Sequence, residues 1–149
     1  MEAAAEGLAY LHHHFDEAIM HRDVKNANLL VNLDTAGRPR CAAWCDLGLA
    51  RTAVLDMSPD IGSRETMAPE VQAGARYSCS ADTYSFGVSM VELYASTSYT
   101  GDANSAVPQR LLKHCPEIFG LLAPCIAERP RDRPDMKEVV LQLPGLREI

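Results

Sequence analysis

From Thr83 to Ala95 the chain carries a single charged side chain, Glu92, among apolar and small residues. Read at helical pitch, Tyr84, Val88, Val91 and Ala95 share one face, while Phe86, Met90, Leu93 and Tyr94 cover the others. A helix that is apolar nearly all round is predicted to lie in the middle of a domain, with the rest of the chain built around it. Asp82 stands at its start, where an N-cap is expected. A length of 149 residues suits one domain with one sizeable core.

The segments on either side supply the other elements. Residues 2–14 are predicted helical, because Ala4, Leu8 and Leu11 form an apolar stripe and Glu2 and Glu6 sit near the positive end of the helix dipole. That helix ends in His12-His13-His14, which is a solvated helix end rather than a metal site, since nothing nearby completes a ligand set. Leu29-Leu30-Val31 and the run from Cys41 to Cys45 flank the turn signal Asp34-Thr35-Ala36-Gly37. They predict a small hairpin whose exit at Asp46-Leu47-Gly48 is a sharp bend assisted by the glycine. Residues 51–66 show no clean period and predict a loop long enough to be functional. Residues 106–128 predict two short helices, with Pro108 and Pro116 at their starts. Asp135 and Glu138 have the spacing of a capping box, Met136, Val139, Val140 and Leu143 follow at helical spacing, and Pro144-Gly145 stops the helix. The expected fold is mainly α with a small β-hairpin.

Charge and cysteine content narrow the function. The net charge of −6 argues against nucleic acid or an anionic membrane as main partner, since both call for a concentrated basic face. No apolar run approaches the ~20 residues that span a bilayer. The start, Met1 to Glu6, lacks the basic and apolar blocks of a signal peptide. The five cysteines are odd in number and none stands as C-x-x-C. They predict free, mostly buried thiols in a reducing compartment, and so an intracellular, cytoplasmic location.

The chemistry-bearing residues lie in ordered runs. His21-Arg22-Asp23-Val24-Lys25-Asn26-Ala27-Asn28 places one carboxylate, basic groups and amides in a single loop after a helix. Asp46-Leu47-Gly48-Leu49-Ala50-Arg51 follows the hairpin, and Gly62-Ser63-Arg64-Glu65-Thr66-Met67-Ala68-Pro69-Glu70 comes next. Asp82-Thr83-Tyr84-Ser85-Phe86-Gly87 opens the central helix, and Arg133-Pro134 precedes the last one. These runs resemble, in order, the H-R-D-x-K-x-x-N catalytic loop, the D-F-G segment, the G-T-x-x-Y and A-P-E segments, the D-x-x-S-F-G helix start and the late R-P of protein kinases. The approach Gly7-Leu8-Ala9-Tyr10-Leu11-His12 is similar to the tyrosine-kinase-like and plant receptor-like groups. Leu47 replaces the usual Phe, Ser63 the Thr and Thr66 the Tyr.

The resemblance implies a protein-kinase-like C-terminal lobe over residues 1–149, a protein substrate, and ATP and Mg²⁺ as cofactors. It implies that Asp23 orients the substrate hydroxyl and accepts its proton, that Lys25 reaches the transferring phosphate, and that Asn28 and Asp46 hold Mg²⁺. Lys25 follows the Ser/Thr-kinase pattern. Arg22 beside Asp23 suggests control by phosphorylation of the activation loop, with Thr52, Ser58, Ser63 and Thr66 as candidate acceptors. Glu70 and Arg133 are expected to form an internal pair. No G-x-G-x-x-G run and no V-A-I-K-like Lys occurs, so the ATP-gripping N-terminal lobe is expected to be absent and the chain alone to lack transferase activity. A catalytically inactive lobe serving as a binding or regulatory module is the alternative, with a partner covering the surface where the other lobe would dock.

Overall fold

The computed structural model of the chain describes residues 1–52, 63–76, 78–97, 99 and 106–143, with backbone alone at 106–109. Among them, helix α1 spans Glu2–His13, α2 Pro69–Gln72, α3 Ser80–Ala95, α4 Ala106–His114, α5 Pro116–Cys125 and α6 Met136–Gln142. Strands β2 (Leu29–Leu33) and β3 (Pro39–Trp44) form the expected antiparallel hairpin. Its turn is closed by Gly37, whose φ of 76° is a conformation that a side chain would strain.

Helix α3 is the axis of the core. Tyr84, Phe86, Val88, Met90 and Val91 are buried, and α4 and α5 pack against it while α1 packs on α6 and β3. The all-round burial predicted for α3 holds only to Val91. Leu93 and Tyr94 in its last turn are exposed, because no described element covers that side. The contact with α5 depends on Gly87. A Cβ there would come 2.7 Å from Ile126 Cγ2 and 2.9 Å from Cys125 Cβ. Gly87→Val is therefore expected to lose ~1–3 kcal/mol through overpacking. Urea denaturation of the variant measures this directly, and an unchanged midpoint would show that the two helices separate at no cost.

Several expectations are corrected. Asp82 is not the N-cap of α3; Cys79 holds that position and Asp82 is the third helical residue. The bend after the hairpin is made by Asp46 in the left-handed region (φ 62°), not by Gly48. The start of the predicted 51–66 loop is strand β4 (Arg51–Thr52), which pairs with β1 (Ile19–Met20). Residues 53–62, with candidate Ser58, and Pro144-Gly145 lie outside the described residues. All five cysteines are free, but they are not mostly buried: Cys125 is buried, Cys41 exposed and the others half-buried. The capping box at α6 forms as expected, with Asp135 accepting from Lys137 N–H and Glu138 from Asp135 N–H.

Candidate active site

The loop from His21 to Asn28 is fixed at its start by the central helix. Asp82, 3% exposed, accepts the backbone N–H of His21 at 2.7 Å and of Arg22 at 2.9 Å. His12 Nε2 lies 2.9 Å from the same carboxylate. These bonds hold Arg22 at φ 70°, a left-handed conformation that costs a non-glycine residue about 1–3 kcal/mol and persists only where its surroundings enforce it. Asp82 therefore binds the loop rather than the end of its own helix.

Asp23 is the polar centre of the loop. Its Oδ2 accepts from Lys25 Nζ at 2.7 Å and Asn28 Nδ2 at 2.8 Å. Its Oδ1 accepts from Ser63 N–H at 3.1 Å and Ser63 Oγ at 3.0 Å. Burial pushes the Asp23 carboxyl up, but the hydrogen bonds from Lys25, Asn28 and Ser63 and the Lys25 charge outweigh burial and hold it below the usual carboxylate range. Lys25 Nζ also donates to Ser63 Oγ at 2.7 Å, so carboxylate, ammonium and hydroxyl form a closed triangle.

Asp46 is brought beside this loop through its neighbour Cys45. Cys45 N–H donates to Asn28 O at 2.9 Å, and His21 Nε2 donates to Cys45 O at 3.1 Å. His21 Nδ1 accepts from Asp23 N–H at 3.3 Å, which fixes the neutral ring as the Nε2–H tautomer. The loop and the hairpin exit are thus joined through main-chain groups on both sides of Cys45. Asn28 directs Nδ2 at the Asp23 carbonyl and carboxylate, which leaves its Oδ1 as the atom available to a cation. Asp46 is exposed and accepts only a long 3.4 Å bond from Gly48 N–H. Two hard oxygen donors of this kind suit Mg²⁺, which takes one or two protein ligands and completes its shell with water and phosphate. Among the described residues no group of three or more His, Cys, Asp or Glu side chains is placed to hold a metal ion.

The segment that begins at Ser63 returns to the same point. Ser63 and Thr66 close a turn through Thr66 N–H to Ser63 O at 3.2 Å, and Ser85 Oγ of α3 donates to Thr66 O at 2.8 Å. Thr66 is 5% exposed and Ser63 is bonded to Asp23 and Lys25, so neither hydroxyl is open to an incoming phosphate. Thr52 lies in β4, half-buried. Glu70 in α2 forms a bidentate pair with Arg133 at 2.7 and 2.8 Å.

The expectation of a solvated histidine triplet fails at His12, which is buried on Asp82. The signal is present in the sequence: Ala5, Leu8, Ala9 and His12 fall on one helical face, and all four are buried. His13 meets another helix end, its Nε2 lying 2.8 Å from Asp135 Oδ1.

The protein kinase domain family matches residues 1–143, and the chain belongs to that family. It is 35% identical, over 95% of its length, to a probable serine/threonine-protein kinase of Dictyostelium discoideum. It is 33% identical over 91% to mitogen-activated protein kinase kinase kinase 7 of Drosophila melanogaster, and 34% over 94% to receptor-like protein kinase 5 of Arabidopsis thaliana. The chain spans 35%, 21% and 16% of the lengths of these relatives. No described helix is long and apolar enough to cross a membrane.

Proposed function

We propose that residues 1–149 are the C-terminal, phosphoryl-transfer half of a serine/threonine protein kinase. The observation that carries this is the arrangement at Asp23, whose carboxylate is met by Lys25 Nζ at 2.7 Å and by Asn28 Nδ2 at 2.8 Å. Three side chains of one loop thereby converge, and this supports a place for the acceptor hydroxyl beside Asp23. Because its pKa is held low, Asp23 is a weak base before reaction. It orients the hydroxyl and takes the proton as the acceptor oxygen bonds to the γ-phosphorus of ATP and the Pγ–O bond to ADP breaks, releasing ADP. Lys25 leaves Ser63 to compensate charge on the transferring group. Asn28 Oδ1 and Asp46 would hold Mg²⁺, which when bound offsets the negative charge of the phosphates. Ser63 and Thr66 act by position, since a phosphate on Ser63 would set about two negative charges against Asp23. Arg22 remains the residue that would pair with a phosphate elsewhere on the activation loop.

The Ser/Thr reading is supported by Lys25 and by the names of the relatives above. The free thiols support an intracellular setting. The groove of ≈ 490 Å³ beside Leu29, Val31, Met90, Leu93 and Tyr94, with the exposed Leu30 and Leu33, supports a second lobe or partner over the hairpin.

Incubating the full-length gene product with Mg·ATP and peptide libraries bearing Ser, Thr or Tyr as sole acceptor tests the reading. Label on Ser and Thr peptides is expected. Label confined to Tyr would reject the specificity, and none at all would favour the inactive module. Trp44, the one tryptophan among residues 1–149, lies edge-on to His21 with ring centroids 6.1 Å apart and stands close to Asp46 in sequence. Its fluorescence is expected to respond to Mg·ADP in the wild type and not in Asp46→Ala.

A further inference from the structure

We propose that Asn26 is a positioning residue for phosphoryl transfer, acting through Glu92 and the Ser89 carbonyl of the central helix. The inference rests on the reading of the Asp23 loop given above. Asn26 begins a 3₁₀ turn, Asn26–Asn28, that follows Lys25 directly and ends on Asn28, the proposed cation ligand. Its Nδ2 donates to Ser89 O at 3.0 Å and to Glu92 Oε2 at 3.0 Å. Glu92, the single charged side chain between Thr83 and Ala95, accepts the Tyr99 N–H on its other oxygen at 3.0 Å. The carboxylate therefore joins the reacting loop, the last turn of α3 and the segment that follows it.

The orientation of the Asn26 amide is fixed by chemistry. Both partners are acceptors, so the nitrogen must face them, and Oδ1 is left buried without a hydrogen bond. An amide held in this sense gives the turn one location relative to α3. At the other end of the loop Asp82 gives a second. Between the two anchors lie Asp23 and Lys25, whose separation from an incoming hydroxyl must be kept within a fraction of an ångström. The bonds of Asn26 and Glu92 run to α3 and to Tyr99 rather than to Asp23 or Lys25, so the effect is on placement.

Reversal of polarity tests this. In the full-length gene product Asn26→Asp sets two carboxylates against each other, and Asn26→Asp with Glu92→Gln restores a donor–acceptor pair with its direction inverted. Asn26→Asp is expected to lower kcat about 10- to 100-fold with KM for peptide nearly unchanged, as for a small misplacement of reacting groups. The double variant should regain about threefold or more of it yet stay below wild type, since a carboxylate at position 26 can no longer donate to the Ser89 carbonyl. Amide exchange over residues 24–29 should quicken in Asn26→Asp and slow again in the double variant, with α3 unchanged. If Asn26→Asp does not fold, Asn26→Ala carries the test with the same expected loss of kcat and quickened exchange. Wild-type kcat in these variants, or no recovery in the double variant, overturns the proposal alone. A wild type that transfers no phosphate overturns the kinase reading, and this proposal with it.

Discussion

Arg133→Ala is expected to remove ~3–5 kcal/mol of folding stability, because it leaves a largely buried carboxylate without its partner. The guanidinium is fully enclosed, and each of its nitrogens is directed at an oxygen. Nη1 donates to Glu70 Oε1 at 2.7 Å and Ser80 O at 3.0 Å. Nη2 donates to Glu70 Oε2 at 2.8 Å and Glu128 O at 3.0 Å. Nε donates to Ala127 O at 2.7 Å, and the group lies 4.8 Å from the centre of the Tyr84 ring. The side chain is 0% exposed and that of Glu70 only 10%. Truncation therefore strands one carboxylate and three carbonyls, and water enters only by opening the contact between α2, α3 and the segment before α6. Arg133→Lys should lose nearly as much, since an ammonium cannot match the planar fork. Removing both charges, Glu70→Met with Arg133→Met, should be milder than Arg133→Ala, because desolvating two ions is itself costly. Urea denaturation of the three variants measures the order. A loss below ~1 kcal/mol for Arg133→Ala is the surface-pair value and would mean that the pair is solvated in solution.

What the sequence reveals of this fold depends on the range of the contact. Features set by neighbours along the chain are legible. The hairpin follows from two apolar runs about Gly37, and the α6 cap from Asp135 and Glu138, because a turn and a cap are satisfied within a few residues. The Glu70–Arg133 pair is 63 positions apart and is reached only through the family resemblance. Features set by a distant partner mislead. Asp82 reads as a helix cap, yet its carboxylate is oriented by the main chain at His21 and Arg22. Strands β1 and β4 are two residues each, too short to carry a period, and exist because they pair with one another. Leu93 and Tyr94 obey the helical pattern of a buried helix but face a groove, since periodicity reports which residues share a face and not what lies opposite. The left-handed bend falls on Asp46 although Gly48 stands two residues away, because Asp tolerates that conformation better than most side chains. At the site, residue types and order are readable, whereas the bonds that aim them, from Asp82, His12, Ser63 and Asn26, are not.

In the full-length gene product, and on the proposed role of Asp23, Asp23→Asn is expected to lower kcat for peptide phosphorylation by ~10²–10⁴-fold, the usual range for loss of a positioned proton acceptor. The amide keeps the shape of the carboxylate and one acceptor oxygen, so α3 and the loop anchors at Asp82 are untouched. It presents N–H to a site built from donors, however: Lys25 Nζ, Asn28 Nδ2 and the Ser63 N–H and Oγ all point at Asp23. The hydroxyl of the substrate then finds no oxygen able to take its proton. Mg·ADP affinity should change little, because the proposed Mg²⁺ ligands, Asn28 Oδ1 and Asp46, remain, and that separation of binding from turnover marks a defect in the reaction step. The pH dependence follows from the direction of the Asp23 shift. A carboxyl whose folded pKa is depressed contributes stability that is fully present above the unfolded pKa, 3.8, and is lost as pH falls through the lower folded value. Between about pH 5 and 7, well above that range, Asp23 stays ionised and contributes no slope to stability. Below about pH 4 the wild type should lose stability more steeply than Asp23→Asn, which has no proton to take up there. Parallel acid-unfolding curves for the two proteins, read by Trp44 fluorescence, would mean that the carboxylate is not held by its donors in solution. A variant whose kcat stays within about threefold of wild type, far short of the loss expected for a proton acceptor, would remove Asp23 from the reaction.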